Sequence, residues 1–432
     1  MQHKLFITIF TALFSLAFTA SGQKLVNSPF SRFNIGSMEP AGSFRTQGMG
    51  GISTALRDNT SIYFSNPASY SSFDTISFNF DFGIDYSKNI LSDGASQYKS
   101  DDANFDHLLM GFPIMKGWGF ALGLVPLSNG YFKIAETVSE GNPLYDPKTG
   151  IYSSYHAGEG GFNNFFMGSG IKINKNFSVG VNMSALFGQI KRTNQFDFAD
   201  YYNGFNNRTT ENIHLTGINF TYGLQYTASL KNDYFFNAGV SLIANKNYNS
   251  NYNYLAERYT AFGTIDTIPG SYVSDNTSKA YIPGTLSMGI SFGKKNKFTT
   301  GIDYVTTKWS ASVIPGASGS AADTKSFLFG AELIPDKFSN YSFMKRMEYR
   351  IGGHVGDNYF IDKKTGEQLK EYGASIGLGI PLRRTLSKTN LFFDFTRRTG
   401  PSGSILPKEN YFTLGISLNI YDDYWFRKRK YD

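Results

Sequence analysis

Ile76-Ser77-Phe78-Asn79-Phe80-Asp81-Phe82-Gly83-Ile84-Asp85-Tyr86 sets an apolar residue at every second position and a polar or small one between. Period-two alternation sends successive side chains to opposite faces of a strand. Ile76, Phe78, Phe80, Phe82, Ile84 and Tyr86 therefore form one face, and Ser77, Asn79, Asp81, Gly83 and Asp85 the other. The pattern recurs to Ile420, giving fourteen candidate strands near 74–86, 104–115, 117–132, 162–174, 177–193, 214–230, 234–246, 281–293, 297–308, 325–334, 347–360, 369–382, 389–397 and 410–420. Ile218, Phe220, Tyr222, Leu224 and Tyr226 make one clear outward row, and Tyr372, Ala374, Ile376, Leu378 and Ile380 another. The segment 347–360 is weaker.

A soluble sandwich would alternate too, so the surroundings decide. Met1–Lys4 is short and basic, Leu5–Phe18 almost wholly apolar, and Thr19-Ala20-Ser21-Gly22 small, the arrangement of a secretory signal peptide cleaved after Gly22. The apolar run falls short of the roughly 20 residues of a helical span. There is no cysteine, which excludes a disulfide framework and a lipidated amino terminus. Aromatics make up 16% of the chain and charged residues 17%, with 45 glycines, 40 phenylalanines and 28 tyrosines. So much aromatic surface with so little charge suits strands that face lipid. The net charge of +7 is scattered along the chain, so no nucleic-acid footprint is read.

The connections supply an independent signal. Those after odd strands are mostly long and polar (Ser87–Ala103, Lys133–Gly161, Asn247–Ala280), and those after even strands mostly short (Met115-Lys116, Asn174-Lys175-Asn176, Lys231-Asn232-Asp233, Gly293 to Lys297). Pro335–Arg346 and Arg383–Lys388 are longer exceptions. Long outer loops alternating with tight periplasmic turns mark an outer-membrane barrel. The expected fold is all-β: an antiparallel transmembrane β-barrel of about 14 strands. Its inward rows hold Gly, Ser and Asn and leave lumen unfilled. A plug from residues 23–73 is therefore expected inside, with the barrel at 74–420 and a basic periplasmic tail at 421–432.

Within that plug, Gln47-Gly48-Met49-Gly50-Gly51-Ile52-Ser53, then Asp58-Asn59-Thr60-Ser61-Ile62-Tyr63, then Asn66-Pro67-Ala68, resembles the hatch of the FadL family of outer-membrane transporters. The resemblance implies a 14-stranded barrel with its hatch inside, Gly48, Gly50, Gly51, Asp58, Asn66, Pro67 and Ala68 being the hatch residues. It also implies entry of a hydrophobic molecule from outside and lateral exit at a kinked third strand. Ser28-Pro29-Phe30-Ser31-Arg32-Phe33 and the closing Tyr424-Trp425-Phe426-Arg427-Lys428-Arg429-Lys430-Tyr431-Asp432 resemble FadL-like proteins of Bacteroidota, whose PorV-like branch serves protein secretion as a barrel subunit.

In the third strand, Pro126 lacks a ladder donor and Gly119 and Gly123 weaken strand packing, so a lateral opening there is physically possible. The preferred alternative is that Pro126 ends the strand at the outer rim. Asn66-Pro67-Ala68 also reads as a turn into the first strand. Asn247–Asn253 and Tyr201-Tyr202 read as solvated outer loop. Phe412, Leu414, Ile416, Leu418 and Ile420 form the outward row of the last strand, and Arg427–Lys430 could meet headgroups or a periplasmic partner.

Beyond His3, the histidines are His107, His156, His214 and His354, none at metal-ligand spacing to another, and no nucleophile motif appears. No enzyme activity, metal or cofactor is expected. The leading expectation is uptake or binding of fatty-acid-like hydrophobic molecules through an integral barrel of the Gram-negative outer membrane. The alternative is a non-transporting subunit of a protein secretion or assembly complex. Expected partners are outer-membrane lipid, a hydrophobic ligand and envelope proteins. A conduit should line the lumen beside the plug with apolar side chains, against the polar norm of barrel interiors.

Overall fold

The computed structural model describes residues 27–423, apart from 94–95, 200–204, 261–264, 276, 318–319, 363–364, 384, 402 and 405. The expected signal peptide, Tyr201-Tyr202 and the expected tail from Tyr424 lie outside the described residues. Fourteen antiparallel strands close into a ring: β1 (Phe78–Ser92), β2 (Gln97–Met115), β3 (Trp118–Asn129), β4 (Tyr152–Lys172), β5 (Phe177–Phe198), β6 (Asn206–Ser229), β7 (Tyr234–Ile243), β8 (Thr285–Lys294), β9 (Phe298–Thr307), β10 (Thr324–Leu333), β11 (Glu348–Ile361), β12 (Gln368–Pro381), β13 (Lys388–Thr399) and β14 (Lys408–Asp422). Closure comes from β1 against β14, with Phe78 opposite Asp422 and Ser92 opposite Lys408. A closed ring leaves no free edge in the bilayer, where an unpaired backbone group has no water to bond.

The outward rows follow the alternation. Ile84 and Tyr86 on β1, Ile218, Phe220, Tyr222, Leu224 and Tyr226 on β6, and Leu414, Ile416 and Leu418 on β14 are all exposed. On β5 the row changes character along its length: Phe177, Val181, Met183 and Phe187 are exposed and apolar, whereas Gln189, Lys191 and Gln195 above them are polar. The lipid-facing band therefore ends near Phe187, and the wall goes on beyond it.

That continuation changes the reading of the long connections. Ser87–Ala103 is mostly ladder, since β1 and β2 stay paired to Ser92 opposite Gln97. Lys133–Gly161 contains a strand, Phe132–Val138, paired with β4. Asn247–Asn253 is not loop but part of the strand Lys246–Tyr259, which pairs with the outer half of β6. These stretches carry polar residues and tyrosines even where a face is buried, as at Asn89, Tyr248 and Ser250, so the hydropathy signal fades while the hydrogen-bond ladder persists. The wall is consequently uneven: β4, β5 and β6 run 21, 22 and 24 residues, and β7 to β10 ten each.

At the opposite end the turns are tight. Gly117 (φ 79°), Asn232 (φ 60°), Asp233 (φ 64°) and Asn296 (φ 61°) occupy the left-handed region that such turns require. This tight-turn end is assigned to the periplasm.

Candidate functional site

The amino-terminal segment lies inside the barrel, and the sequence of the wall explains how. Each strand from β3 to β12 turns one glycine inward where residues 48–70 pass, leaving no room there for a side chain. Gly119 meets the Tyr70 carbonyl, Gly180 meets Pro67, Gly223 meets Asn66, Gly289 faces Thr54, and Gly330 and Gly352 face Met49 and Gly50. Backbone thereby touches backbone almost all round the lumen. Gly50 (φ 68°) and Gly51 (φ 89°) make the turn that brings the chain against β10 and β11.

Backbone buried in this way must find partners. Wall side chains provide them. Asp303 accepts from the Ser53 and Thr54 amides at 2.7 and 2.8 Å, and the Ser375 hydroxyl accepts from Gly50 N at 2.9 Å. Gln225 Nε2 donates to the Thr54 and Leu56 carbonyls, each at 3.1 Å, and Asn182 Nδ2 to the Phe64 carbonyl at 2.9 Å. Asn66 works in the other direction. Its Nδ2 donates to the Thr54 carbonyl at 2.8 Å and, at 3.3 Å, to the Leu224 and Val240 carbonyls of the wall. Its Oδ1 accepts from Ala68 N at 3.2 Å, capping the short 3-10 helix Pro67–Ser72. The turn reading and the wall-contact reading of Asn66-Pro67-Ala68 thus describe one structure.

The lumen has two unlike sides. On β10 to β13 it is ionic. Arg45 donates to both oxygens of Glu332 at 3.2 and 2.8 Å, to Asp58 at 2.9 Å and to the Ser61 hydroxyl at 2.7 Å. Glu332 also accepts from Arg350 at 2.7 Å, Arg350 bonds Glu348 and Asn390, and Glu348 pairs with Lys388 at 2.8 Å. Burial pushes the Asp58 carboxyl up, but the charges of Arg45, then Lys388 and Lys337, outweigh it and hold the group well below the usual carboxylate range. Burial likewise opposes the charge on Arg45, and Glu332, Tyr63 and Asp58 together keep it firmly protonated.

On β2 to β6 the inward rows carry two apolar clusters among polar residues such as Asn182 and Gln225. Phe162, Leu186, Ile190, Ile213 and Leu215 point inward in the outer half and pack with Ile35 of the amino-terminal segment and with Tyr248, Trp309 and Tyr359. Nearer the periplasm, Leu109, Ala121, Val125 and Phe166 close around Ile62, Tyr70 and Phe73.

The seam between β2 and β3 parts on this side. Their ladder runs from Met115 opposite Trp118 to Leu108 opposite Leu124 and stops there. Above it, Asp106 is an extra residue in β2, because Gly83 pairs with His107 and Ile84 already with Phe105. Pro126 does not end its strand: β3 continues to Asn129 against β4, with a register shift between Pro126 and Ser128. Ser37 and Met38 add on the other edge of β3 as a short internal strand. A cavity of about 60 Å³ remains in the parting, lined by Glu39, Asp85, Asn104, Asp106, Pro126 and Asn163 among others. It is polar, and smaller than the roughly 150 Å³ that accommodates one benzene. Farther out, Asn27 bridges the gap: its amide N donates to Ser100 Oγ at 3.1 Å, and its side chain exchanges two hydrogen bonds of 2.9 Å with the Lys133 backbone.

Of the expected opening residues, only Pro126 lies at the parting. Gly119 is covered by Tyr70 and Phe73, and Gly123 by Leu109 and Phe166. Gly48, which packs on Gly377, and Gly50, Gly51, Asp58, Asn66, Pro67 and Ala68 all contribute to seating the internal segment. Sequence reasoning missed Arg45, Glu332, Glu348, Arg350 and Lys388. The available signal was charge on inward rows at membrane depth, most plainly Glu348 and Arg350 two apart on one strand. Among the described residues, no cluster of His, Asp and Glu could hold a metal.

A closed 14-strand antiparallel barrel is the fold of FadL-type outer-membrane barrels. The sequence profile of the BamG family matches residues 1–432, and the chain belongs to that family. The CymD monoaromatic hydrocarbon channel is similar in structure, with a TM-score of 0.57 and 13% identity over 90% of this chain and 98% of that one. The Ralstonia pickettii toluene transporter TbuX gives 0.56 and 12% over 89% and 98%. A Pseudomonas aeruginosa FadL homologue gives 0.57 and 12% over 90% and 99%. At such identities the likeness concerns the fold. No curated protein sequence matches the chain.

Proposed function

We propose that this protein is a plugged, non-transporting barrel that serves as a subunit of an outer-membrane protein secretion or assembly complex. The observation that carries the reading is the buried ion cluster tying Arg45 and Asp58 of the internal segment to Glu332, Arg350, Glu348 and Lys388. Moving the segment aside would leave several of these charges unpaired in a water-poor interior, at a cost of about 3–5 kcal/mol for each pair broken. The glycine contacts round the wall add to the same closure. Such a barrel offers its rim and outer faces to other proteins, and its lumen conducts nothing. The Bacteroidota-type stretch Ser28–Phe33 accords with a PorV-like role in a Gram-negative envelope.

The second reading is uptake of hydrophobic molecules with residues 23–73 as a moving hatch. The parting of β2 from β3 at Pro126 favours it, as does the apolar side of the lumen. The two readings separate in one experiment, because the natural chain has no cysteine. The Ser241 hydroxyl donates to the Ser65 carbonyl at 2.6 Å, so a Ser65→Cys, Ser241→Cys pair would lock the segment to β7. As a subunit, the locked protein should come out of its own membrane in fixed stoichiometry with other envelope proteins, as the reduced form does. A retained hydrophobic molecule in the reduced form, with uptake abolished by the lock, would overturn this reading in favour of transport.

A further inference from the structure

The periplasmic rim is made of tight turns except at residues 382–387 and, most of all, at residues 334–347. Between β10 and β11 the chain uses residues 334–347, whereas β2 to β3 needs only Lys116-Gly117. The long connection is a folded platform held by its own bonds. Asp336 N donates to the Lys345 carbonyl at 2.7 Å, Arg346 Nη1 to the Ser339 carbonyl at 2.8 Å, and the Tyr349 hydroxyl to the Met344 carbonyl at 3.0 Å. One helical turn, Phe343–Arg346, completes it.

What this platform presents is unusual for a loop tip, where small polar residues are the norm. Tyr341 is 101% exposed, Phe338 is 71% exposed, and Phe343 and Met344 stand beside them. Leu382 and Leu386, in the turn between β12 and β13, are exposed as well. The lipid-facing aromatics of this end sit elsewhere, on strands: Tyr234, Phe292 and Phe298 pack together outside β7 to β9. The platform lies beyond the last ladder pair, Leu333 opposite Tyr349.

Charge indicates the kind of occupant. Residues 334–347 carry Lys337, Lys345 and Arg346 against a single carboxylate, Asp336, and the adjoining turns add Lys295, Lys297 and Arg383. Exposed aromatics inside a basic rim form the pattern of an anchor site for a protein surface of opposite charge.

We propose that the 334–347 platform docks an acidic periplasmic face of a second envelope protein. Phe338 and Tyr341 act as anchors, and Lys345 and Arg346 meet the partner's carboxylates. The inference rests on the subunit reading and names the side through which the subunit is joined.

The test places a photocrosslinking phenylalanine analogue at position 341 of the full-length protein in its own envelope. The expected product is one discrete protein adduct whose mapped crosslink lies in an acidic periplasmic segment. Phe338→Ser with Tyr341→Ser should lower recovery of that partner about tenfold, and adding Lys345→Glu should lower it further at low salt than at high salt. Gel migration of the unheated barrel reports that these exposed substitutions leave the fold intact. Adducts to lipid alone, or none while the wild type still comes out in fixed stoichiometry, would overturn the docking site and spare the subunit reading. A wild type recovered alone and without adducts removes both.

Discussion

The two sides of the lumen hold the same internal segment by opposite means. On β10 to β13, Arg45 is clasped between Glu332 and Asp58 within a cluster that continues to Arg350, Glu348 and Lys388. On β2 to β6, Ile35, Ile62, Tyr70 and Phe73 are packed against inward Leu, Ile, Phe and Val side chains. The ionic side fixes position and direction, because a guanidinium fork fits its carboxylates in few geometries. The apolar side supplies burial with little directional demand. The wall parts on the apolar side, at a bulge at Asp106 and a register shift after Pro126. The ionic side keeps most of its ladder, with one irregularity near the outer end of β11 and β12.

This contrast can be broken most sharply from its ionic side. Arg45→Ala leaves Asp58 without its paired guanidinium and Glu332 with Arg350 alone, and should destabilise the seated segment by about 3–5 kcal/mol. Limited proteolysis should then cut within residues 39–66 while the barrel keeps its unheated gel migration. Cleavage no faster than in the wild type would mean that the apolar side alone holds the segment.

Leu215→Ala attacks the other side. It removes a fully buried side chain from the cluster around Ile35, so about 2–4 kcal/mol of stability should be lost. The loss should appear as a lower unfolding midpoint of the outer lumen, with the Arg45 contacts and the protease resistance of residues 39–66 retained. Coupled loss of both would show that the two sides are one cooperative unit.

The smallest effect expected is that of mild acid. Asp58 is held below its ordinary value, so its contribution is complete above the unfolded value of about 4 and is lost only as pH falls through the folded value. Protease resistance of the internal segment should therefore be unchanged between pH 8 and pH 5. Release within that window would point to another titrating group as the lock.

Much of the barrel was legible because its rule is local. The outward rows of β1, β6, β12 and β14 could be read directly, since lipid demands an apolar side chain at every second position whatever the neighbouring strand. The outer extensions were not legible in the same way. In Lys246–Tyr259 the buried face carries Tyr248, Ser250 and Ala256 and the other face mostly asparagines, so alternation no longer separates strand from loop. The glycines of the inward rows could be counted, and they pointed to something inside. Which of them meets which residue depends on ring closure and register, as Gly223 against Asn66 and Gly352 against Gly50 illustrate.

The sequence by itself thus determined an alternating, aromatic-rich chain with too little side-chain volume on its inner face to fill its own lumen. Tertiary structure alone decided that Arg45 meets Glu332, 287 residues away along the chain, and that the ladder of β2 and β3 ends at Leu108. The physical reason is one of range. Solvent preference acts on each residue where it stands, whereas an ion pair or a missing ladder bond exists only after distant strands have been brought into register.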